Sequence, residues 1–393
     1  MSESIPVNTP ERLDFQPAPG LARLLLRNFF YGLLTLGFYR FWARTNLRRY
    51  LWGAVRLQDE PLDYTGTGRE LFLGFIIVMA VFVPVSLIYG GIQVALAGDA
   101  PALASLDGLY FIVLLLLVAV AQFRARRYRL SRTLWRGIRA GQGGSSWAYL
   151  GRFALWLLAA IVTLGFSIPW AAADLARYRM RHTYWGSFQG DFVGAPNQLL
   201  LPIAWMWGAL VGMLGWSVYD FFTLADGMQR QIAVYKIMTG GALMPVLFIY
   251  FQMAWLRWYI DGMRLGPLRF KADFSAAALF WRLALGGLLV LIAVGALWIG
   301  LGFAIGMAAV NGGLTQETAF GNPLVILAIV LMLPLLLLCL RLAYYYLMFM
   351  PALRRVVLGV SVIGLDAAML AQQAAPDQMR SGEGLADSFD IPL

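Results

Sequence analysis

Three aspartates stand directly before an aromatic residue, as Asp63-Tyr64, Asp191-Phe192 and Asp273-Phe274. Two of them follow an arginine–tyrosine pair at the same interval: Arg49-Tyr50 precedes Asp63, and Arg177-Tyr178 precedes Asp191. Carboxylates recurring beside basic and aromatic groups suit acid–base work on a polar head group. They equally suit a fixed structural pairing with the arginines, and a turn or capping role is the commoner use of such aspartates. No catalytic residue is assigned on this pattern, and the chain is expected not to be an enzyme. Cys339 is the single cysteine and His182 the single histidine, which excludes an intrachain disulfide and multi-residue Cys or His metal sites. Cys339 lies in an apolar run and His182 in a basic segment, so no Cys–His dyad is expected. No cofactor and no metal are expected.

The abundant chemical group is guanidinium. Lys236 and Lys271 are the only lysines among 31 Lys+Arg residues, and the formal net charge is +10. The arginines cluster beside apolar runs, where a membrane protein places its cytoplasmic flanks, so nucleic acid is not expected as a partner. Composition supports this reading. Of 393 residues 60% are hydrophobic and 13% are charged, against roughly 25% in an average soluble protein. A soluble enzyme, a disordered chain and a disulfide scaffold are all excluded by that balance. The polar start, with Glu3, Glu11, Arg12 and Asp14, has no apolar core of a signal peptide.

Six apolar stretches are long enough to cross a bilayer, at about 71–93, 108–123, 199–222, 234–257, 279–310 and 323–350. Two more, 24–42 and 150–173, share Thr-Leu-Gly-Phe and a following tryptophan: Thr35 to Phe38 with Trp42, and Thr163 to Phe166 with Trp170. The match extends without a gap over 35–66 and 163–194, pointing to an internal duplication. A shorter echo relates Arg127-Tyr128-Arg129, Thr133 and Trp135 to Arg177-Tyr178-Arg179, Thr183 and Trp185. Both 24–42 and 150–173 carry arginine on each flank, so a full crossing would leave one basic flank outside. The simpler reading is a re-entrant or interfacial hairpin turning near Gly37 or Gly165; eight plain crossings remain the alternative.

The expected fold is therefore all-α and polytopic, with about six spanning helices in three hairpins and two re-entrant elements. Arg-rich amphipathic helices would lie on the cytoplasmic face. Segments 44–57 and 129–139 read as such helices, with Arg129, Arg132, Arg136 and Arg139 on lipid phosphates and Trp52 and Trp135 as interface anchors. The domains are a polar tail 1–20, a membrane domain 21–375 and an acidic tail 376–393, with both termini cytoplasmic. Thr67 and Glu70 read as a capping box, with head-group binding as the other reading. Arg341, deep in 323–350, reads either as a buried pair or as a snorkelling cation. Gly208 with Gly212, and Gly302 with Gly306, read as close helix packing.

The run Thr35 to Ala43, then Arg49-Tyr50, then Asp63 to Phe72 resembles the YjgN-like family of bacterial inner-membrane proteins. The resemblance spans about 14 to 370 and recurs at Thr163 to Trp170 and Arg177-Tyr178, where Phe166 to Trp170 lacks the Tyr and Arg of the first copy. It implies a multi-pass protein of the bacterial cytoplasmic membrane and no established catalytic residues. Binding or transport of an anionic lipid or amphiphile is the leading functional expectation, with membrane lipids as partners. A non-transporting adaptor for another membrane protein is the second, and an intramembrane enzyme the third. The candidate head-group or structural residues are Arg49, Tyr50, Asp63, Arg129, Arg132, Arg136, Arg139, Arg177, Tyr178, Asp191 and Arg341; the oligomeric state is open.

Overall fold

A computed structural model describes residues 10–223, 227–311 and 323–365. The tail 376–393 and the linker 312–322 lie outside the described residues. Each of the six apolar stretches lies in a helix: α3 (Gly68–Ala95), α4 (Ala100–Ser131), α7 (Asn197–Thr223), α8 (Gly227–Gly262), α9 (Ala276–Asn311) and α10 (Pro323–Ala343). A π-helical turn, Tyr344–Phe349, joins α10 to the short α11 (Met350–Leu358). Among the described residues, four helical stretches are long and apolar enough to cross a membrane: Gly68–Ala95, Ala100–Ser131, Ala276–Gly300 and Leu333–Leu358. At most 12% of each apolar window is buried inside the protein, so these surfaces need lipid as their solvent.

The two Thr-Leu-Gly-Phe segments fold as helical hairpins. α1 (Leu21–Leu34) and α2 (Arg40–Ala54) form one, and α5 (Ser146–Val162) and α6 (Ile168–Arg181) the other. Both turns use the same bonds. Gly37 N–H donates to Gly32 O at 2.7 Å, and Gly165 N–H to Ala160 O at 2.6 Å, each glycine having φ +89°. Thr35 Oγ1 donates to Tyr31 O and accepts from Tyr39 N–H; Thr163 does the same with Ala159 and Ser167. The motif is thus a helix stop in which glycine takes the left-handed conformation and threonine satisfies groups the helix ends leave open. At the tips Leu36 and Leu164 are 90% and 69% exposed. Polar clasps close the legs: buried Asn28 donates to Ala43 O, and Arg152 pairs with Asp174 at 3.1 Å.

The chain is not all-α. Twelve short strands lie among the described residues: β1 (Glu11–Arg12), β2 (Asp14–Phe15), β3 (Val55–Leu57), β4 (Glu60–Pro61), β5 (Asp63–Tyr64), β6 (Thr133–Trp135), β7 (Ile138–Gln142), β8 (Thr183–Trp185), β9 (Phe188–Phe192), β10 (Met263–Leu265), β11 (Leu268–Ala272) and β12 (Val360–Ile363). Segment 129–139 is therefore not an interfacial helix. α4 stops at Ser131, and Arg136 and Gly137, at φ +50° and +75°, make a two-residue turn between β6 and β7. Such turns match the twist of paired strands, and Trp-Arg-Gly between β-forming residues was their signal. Segment 44–57 is helical only to Ala54 and then continues as β3.

The strands pair antiparallel in the order β1-β12-β11-β10-β9-β8-β7-β6-β5, and β2-β3-β4 form a second run. β1 leads into β2 through Leu13, whose N–H donates to Val360 O, and β4 leads into β5 through Leu62, whose N–H donates to Val55 O. Pairing consequently runs all the way round, and the strands form a closed ring with no free edge. Residues 10–15 of the expected polar tail are part of it. Leu57, Trp135, Trp185, Leu268, Val362 and Leu365 fill its centre, which is a packed core and not a pore. Trp135 belongs to this core and is no interface anchor.

Candidate functional site

The arginine–tyrosine pairs serve the joints of the ring. Arg49 donates to Gly66 O at 2.8 Å, not to Asp63, and Arg127 donates likewise to Gly144 O. The arginine thus staples the end of a strand to the helix before it. Five residues ahead of β3, β6, β8, β10 and β12 stand Tyr50, Tyr128, Tyr178, Trp258 and Arg355. Each donates to the segment that starts a helix of the preceding hairpin. Tyr50 reaches Ala18 O at 2.6 Å, Tyr128 reaches Glu70 at 2.6 Å, Tyr178 reaches Ser145 O at 2.8 Å, Trp258 reaches Ala195 O at 2.9 Å and Arg355 reaches Ala278 O at 3.5 Å. Burial holds the Tyr50 hydroxyl above the ordinary phenol range.

Buried side chains, with the partly buried Tyr178, close these joints. Tyr64, Leu71 and Tyr128 pack at one, Tyr149 and Tyr178 with Phe123 at the next, and Phe192, Leu199 and Trp258 at the third. Each fully buried large apolar side chain contributes roughly 1.5–3 kcal/mol. The expected capping box is present: Thr67 accepts from Glu70 N–H while the Glu70 carboxylate accepts from Thr67 N–H. Glu70 also pairs with Arg132 at 2.9 Å.

The aspartates are not brought into one site. Asp63 lies opposite Leu134 on the β5–β6 ladder, Asp191 pairs with Arg181 at 3.2 Å, and Asp273 pairs with Lys271 at 3.2 Å. The expected Arg49–Asp63 and Arg177–Asp191 pairs do not form, because the arginine lies on the helix and its aspartate on the ring. Arg177 is half-buried on α6. Arg136 meets Glu60 at 3.2 Å, and Arg139 lies opposite Leu134 on β7. Arg129 lines a small cavity with Arg126, Arg179 and Tyr259. Arg341 is half-buried in the last turn of α10 and makes no ion pair among the described residues. Among the described residues, a Cβ placed on Gly208, Gly212, Gly302 or Gly306 would meet nothing within 4 Å, so the expected close helix packing is not seen there.

The fifth joint differs from the other four. Arg355 stands where they have Tyr or Trp, and a groove of about 1040 Å³ opens there. Its floor and sides include Phe15, Phe274, Tyr346, Met350 and Leu358, and Arg282, Arg354 and Arg355 line it as well. Arg354 and Arg355 are exposed, as is Arg282. α9 begins at the same place, with Ser275 accepting from Ala278 N–H, so its positive dipole end is on the groove. The groove therefore joins an apolar wall to three guanidinium groups, while Asp273, the acid on its lining, is occupied by Lys271. Arg282 and Arg354-Arg355 were legible in the sequence only as basic flanks. The signal that could have singled them out is the missing aromatic before β12.

Residues 17–301 match a family model described as a bacterial protein of unknown function, DUF898. The inner membrane protein YjgN of Salmonella typhimurium is 29% identical over 145 residues, covering 35% of this chain and 33% of that relative. The chain thus aligns with about a third of the relative's length. No solved structure matches the chain.

Proposed function

The chain belongs to the DUF898 family of bacterial proteins of unknown function, and on that footing we propose that it is a multi-pass protein of the bacterial cytoplasmic membrane that binds or transports an anionic lipid or amphiphilic solute at the inner leaflet. The similarity to an inner membrane protein supports the location, and bears out the resemblance to the YjgN-like family. The observation that carries the ligand class is the groove at the fifth joint. Its three arginines suit a phosphate or carboxylate head, and its aromatic and aliphatic wall suits an acyl chain. No reaction is proposed.

The topology follows from the same reading. Six helices span in three hairpins, and α1–α2 and α5–α6 dip into the bilayer and return. α1 has 14 residues, about 21 Å at 1.5 Å per residue, against a hydrocarbon core of about 30 Å. The ring, both termini and the basic segments lie on the cytoplasmic side. The recurring helix, hairpin and joint are copies of one duplicated unit, and the last copy has departed at Arg355.

Lipid mass spectrometry on the purified protein tests the reading. Wild type should retain anionic lipid, and the R282Q/R354Q double variant should lose most of it while remaining folded. An unchanged lipid complement would refute the groove as the site. A stable second protein after mild-detergent extraction would then favour the adaptor role.

A further inference from the structure

The groove at the fifth joint has an occupant of matching chemistry within the chain itself. Arg282, Arg354 and Arg355 line it beside Phe274, Tyr346 and Leu358. Arg355 donates to Ala278 O, and Arg282 and Arg354 form no ion pair among the described residues. The acids nearby have other partners. Asp273 holds Lys271, and Asp14 accepts from Phe15 N–H at 2.7 Å and from Gln16 Nε2 at 2.5 Å. Arg354 acts on Asp14 at longer range, without an ion pair. Other arginines of the ring and hairpins meet an acid directly, as Arg132 meets Glu70, Arg136 meets Glu60 and Arg152 meets Asp174.

The acidic tail carries the complementary charge. Residues 381–393, which lie outside the described residues, hold Glu383, Asp387 and Asp390 and no Lys or Arg. Leu385, Phe389 and Ile391 are interleaved with those acids. Three carboxylates among apolar side chains match three guanidinium groups beside an apolar wall, and guanidinium forks pair with carboxylates. The reach is ample. Gly359 lines the groove, and the described chain runs six residues further, to Leu365 in the core of the ring. At about 3.3 Å per residue that is at most about 20 Å, whereas residues 366–382 span about 55 Å when extended. Residues 366–382 contain no apolar run long enough to cross a bilayer, so the segment stays on the side of the ring. Tethering makes the association intramolecular, so contacts too weak for a free peptide suffice.

We propose that residues 383–391 dock in the fifth-joint groove, with Glu383, Asp387 and Asp390 on its three arginines and Leu385 and Phe389 on its apolar wall. The docking stands without the lipid reading of the groove. Its consequence, that the segment competes with an anionic ligand for the same arginines, rests on that reading.

The test is cross-linking of the full-length protein in its membrane with a short bis-maleimide. In a Cys339→Ala background, Phe389→Cys is combined with Ala278→Cys, exposed on the groove. The comparison partner is Arg181→Cys, equally exposed but next to β8, which β10 and β9 separate from β11 in the strand order. Pro17→Cys, also exposed on the lining, repeats the test if Ala278→Cys disturbs α9. A cross-link to Ala278→Cys or Pro17→Cys but not to Arg181→Cys, most of it lost when E383Q/D387N/D390N is added, supports the docking. Equal yields at groove and comparison positions overturn it, as does a yield that the charge removal leaves unchanged or no cross-link at all. Cross-links that join two chains place a second copy's tail in the groove and overturn the intramolecular docking. Lipid mass spectrometry separates the two readings. E383Q/D387N/D390N should raise the anionic lipid retained. A charge-dependent cross-link with an unchanged lipid complement supports the docking and counts against the lipid reading. Lipid lost in R282Q/R354Q, without any cross-link, upholds the lipid reading and overturns the docking.

Discussion

Tyr128 donates its hydroxyl to Glu70 at 2.6 Å, so the carboxylate that closes the cap of α3 also anchors the end of α4. Glu70 further pairs with Arg132 at 2.9 Å. Replacing Glu70 by Ala should therefore cost about 2–3 kcal/mol, because it removes the cap and strands the buried phenol. Thr67→Ala, which loses the cap alone, should cost about 1 kcal/mol. Thermal denaturation in detergent compares the two, and equal losses would show that the joint adds nothing to the cap.

Arg355→Tyr restores at the fifth joint the type of residue found at three of the others. The ring should fill part of the groove, raise Tm and displace bound anionic lipid. A rise in Tm with the lipid complement intact would mean that the groove is a packing gap without a ligand.

Gly37 and Gly165 share φ +89°, and a Cβ on Gly37 would meet nothing within 4 Å. The cost of Gly37→Ala is thus conformational strain alone, about 1–2 kcal/mol. Gly165→Ala should cost a similar amount, its Cβ meeting Ile168 at an ordinary 3.4 Å. Unequal losses, read by thermal denaturation, would show that the two turns are not equivalent.

The re-entrant reading predicts a labelling pattern. In a Cys339→Ala background, single cysteines at Gly20, Asp59, Trp147 and Arg181 all flank a helical hairpin and are exposed. None should react with an impermeant thiol reagent applied from outside intact cells. Reaction at one side of either hairpin would establish a full crossing.

Ring closure predicts a cross-link between the two ends of the described chain. Arg12 and Ser361 are directly opposite partners of β1 and β12. In a Cys339→Ala background, Arg12→Cys with Ser361→Cys should form a disulfide on mild oxidation, since opposite strand residues lie within its reach. Arg12→Cys with Asp191→Cys, on β9 four strands away in the order, should not. Peptide mass spectrometry after proteolysis distinguishes the two, and equal yields would argue against the closed ring.

The sequence by itself determined what depends on near neighbours. Apolar run length placed the helices, because a helix closes its own hydrogen bonds within each turn. The Thr-Leu-Gly-Phe stops and the Thr67–Glu70 cap were legible for the same reason, their bonds lying within five residues. Tertiary structure alone decided the ring. Its strands are two to five residues long and too short to carry a reliable alternation signal, and an isolated hairpin of that size is marginal in water. They persist because the two runs of paired strands join through Leu13 and Leu62 into one ring, one pair joining Glu11 to Val362. Partner choice was equally hidden. Spacing suggested Asp63 for Arg49, yet the fold gives it the Gly66 carbonyl, because the strand carries the aspartate along the ring and returns the backbone to the helix. The meeting of Arg126, Arg129 and Arg179 likewise comes from ring geometry, which superposes positions that sequence distance keeps apart.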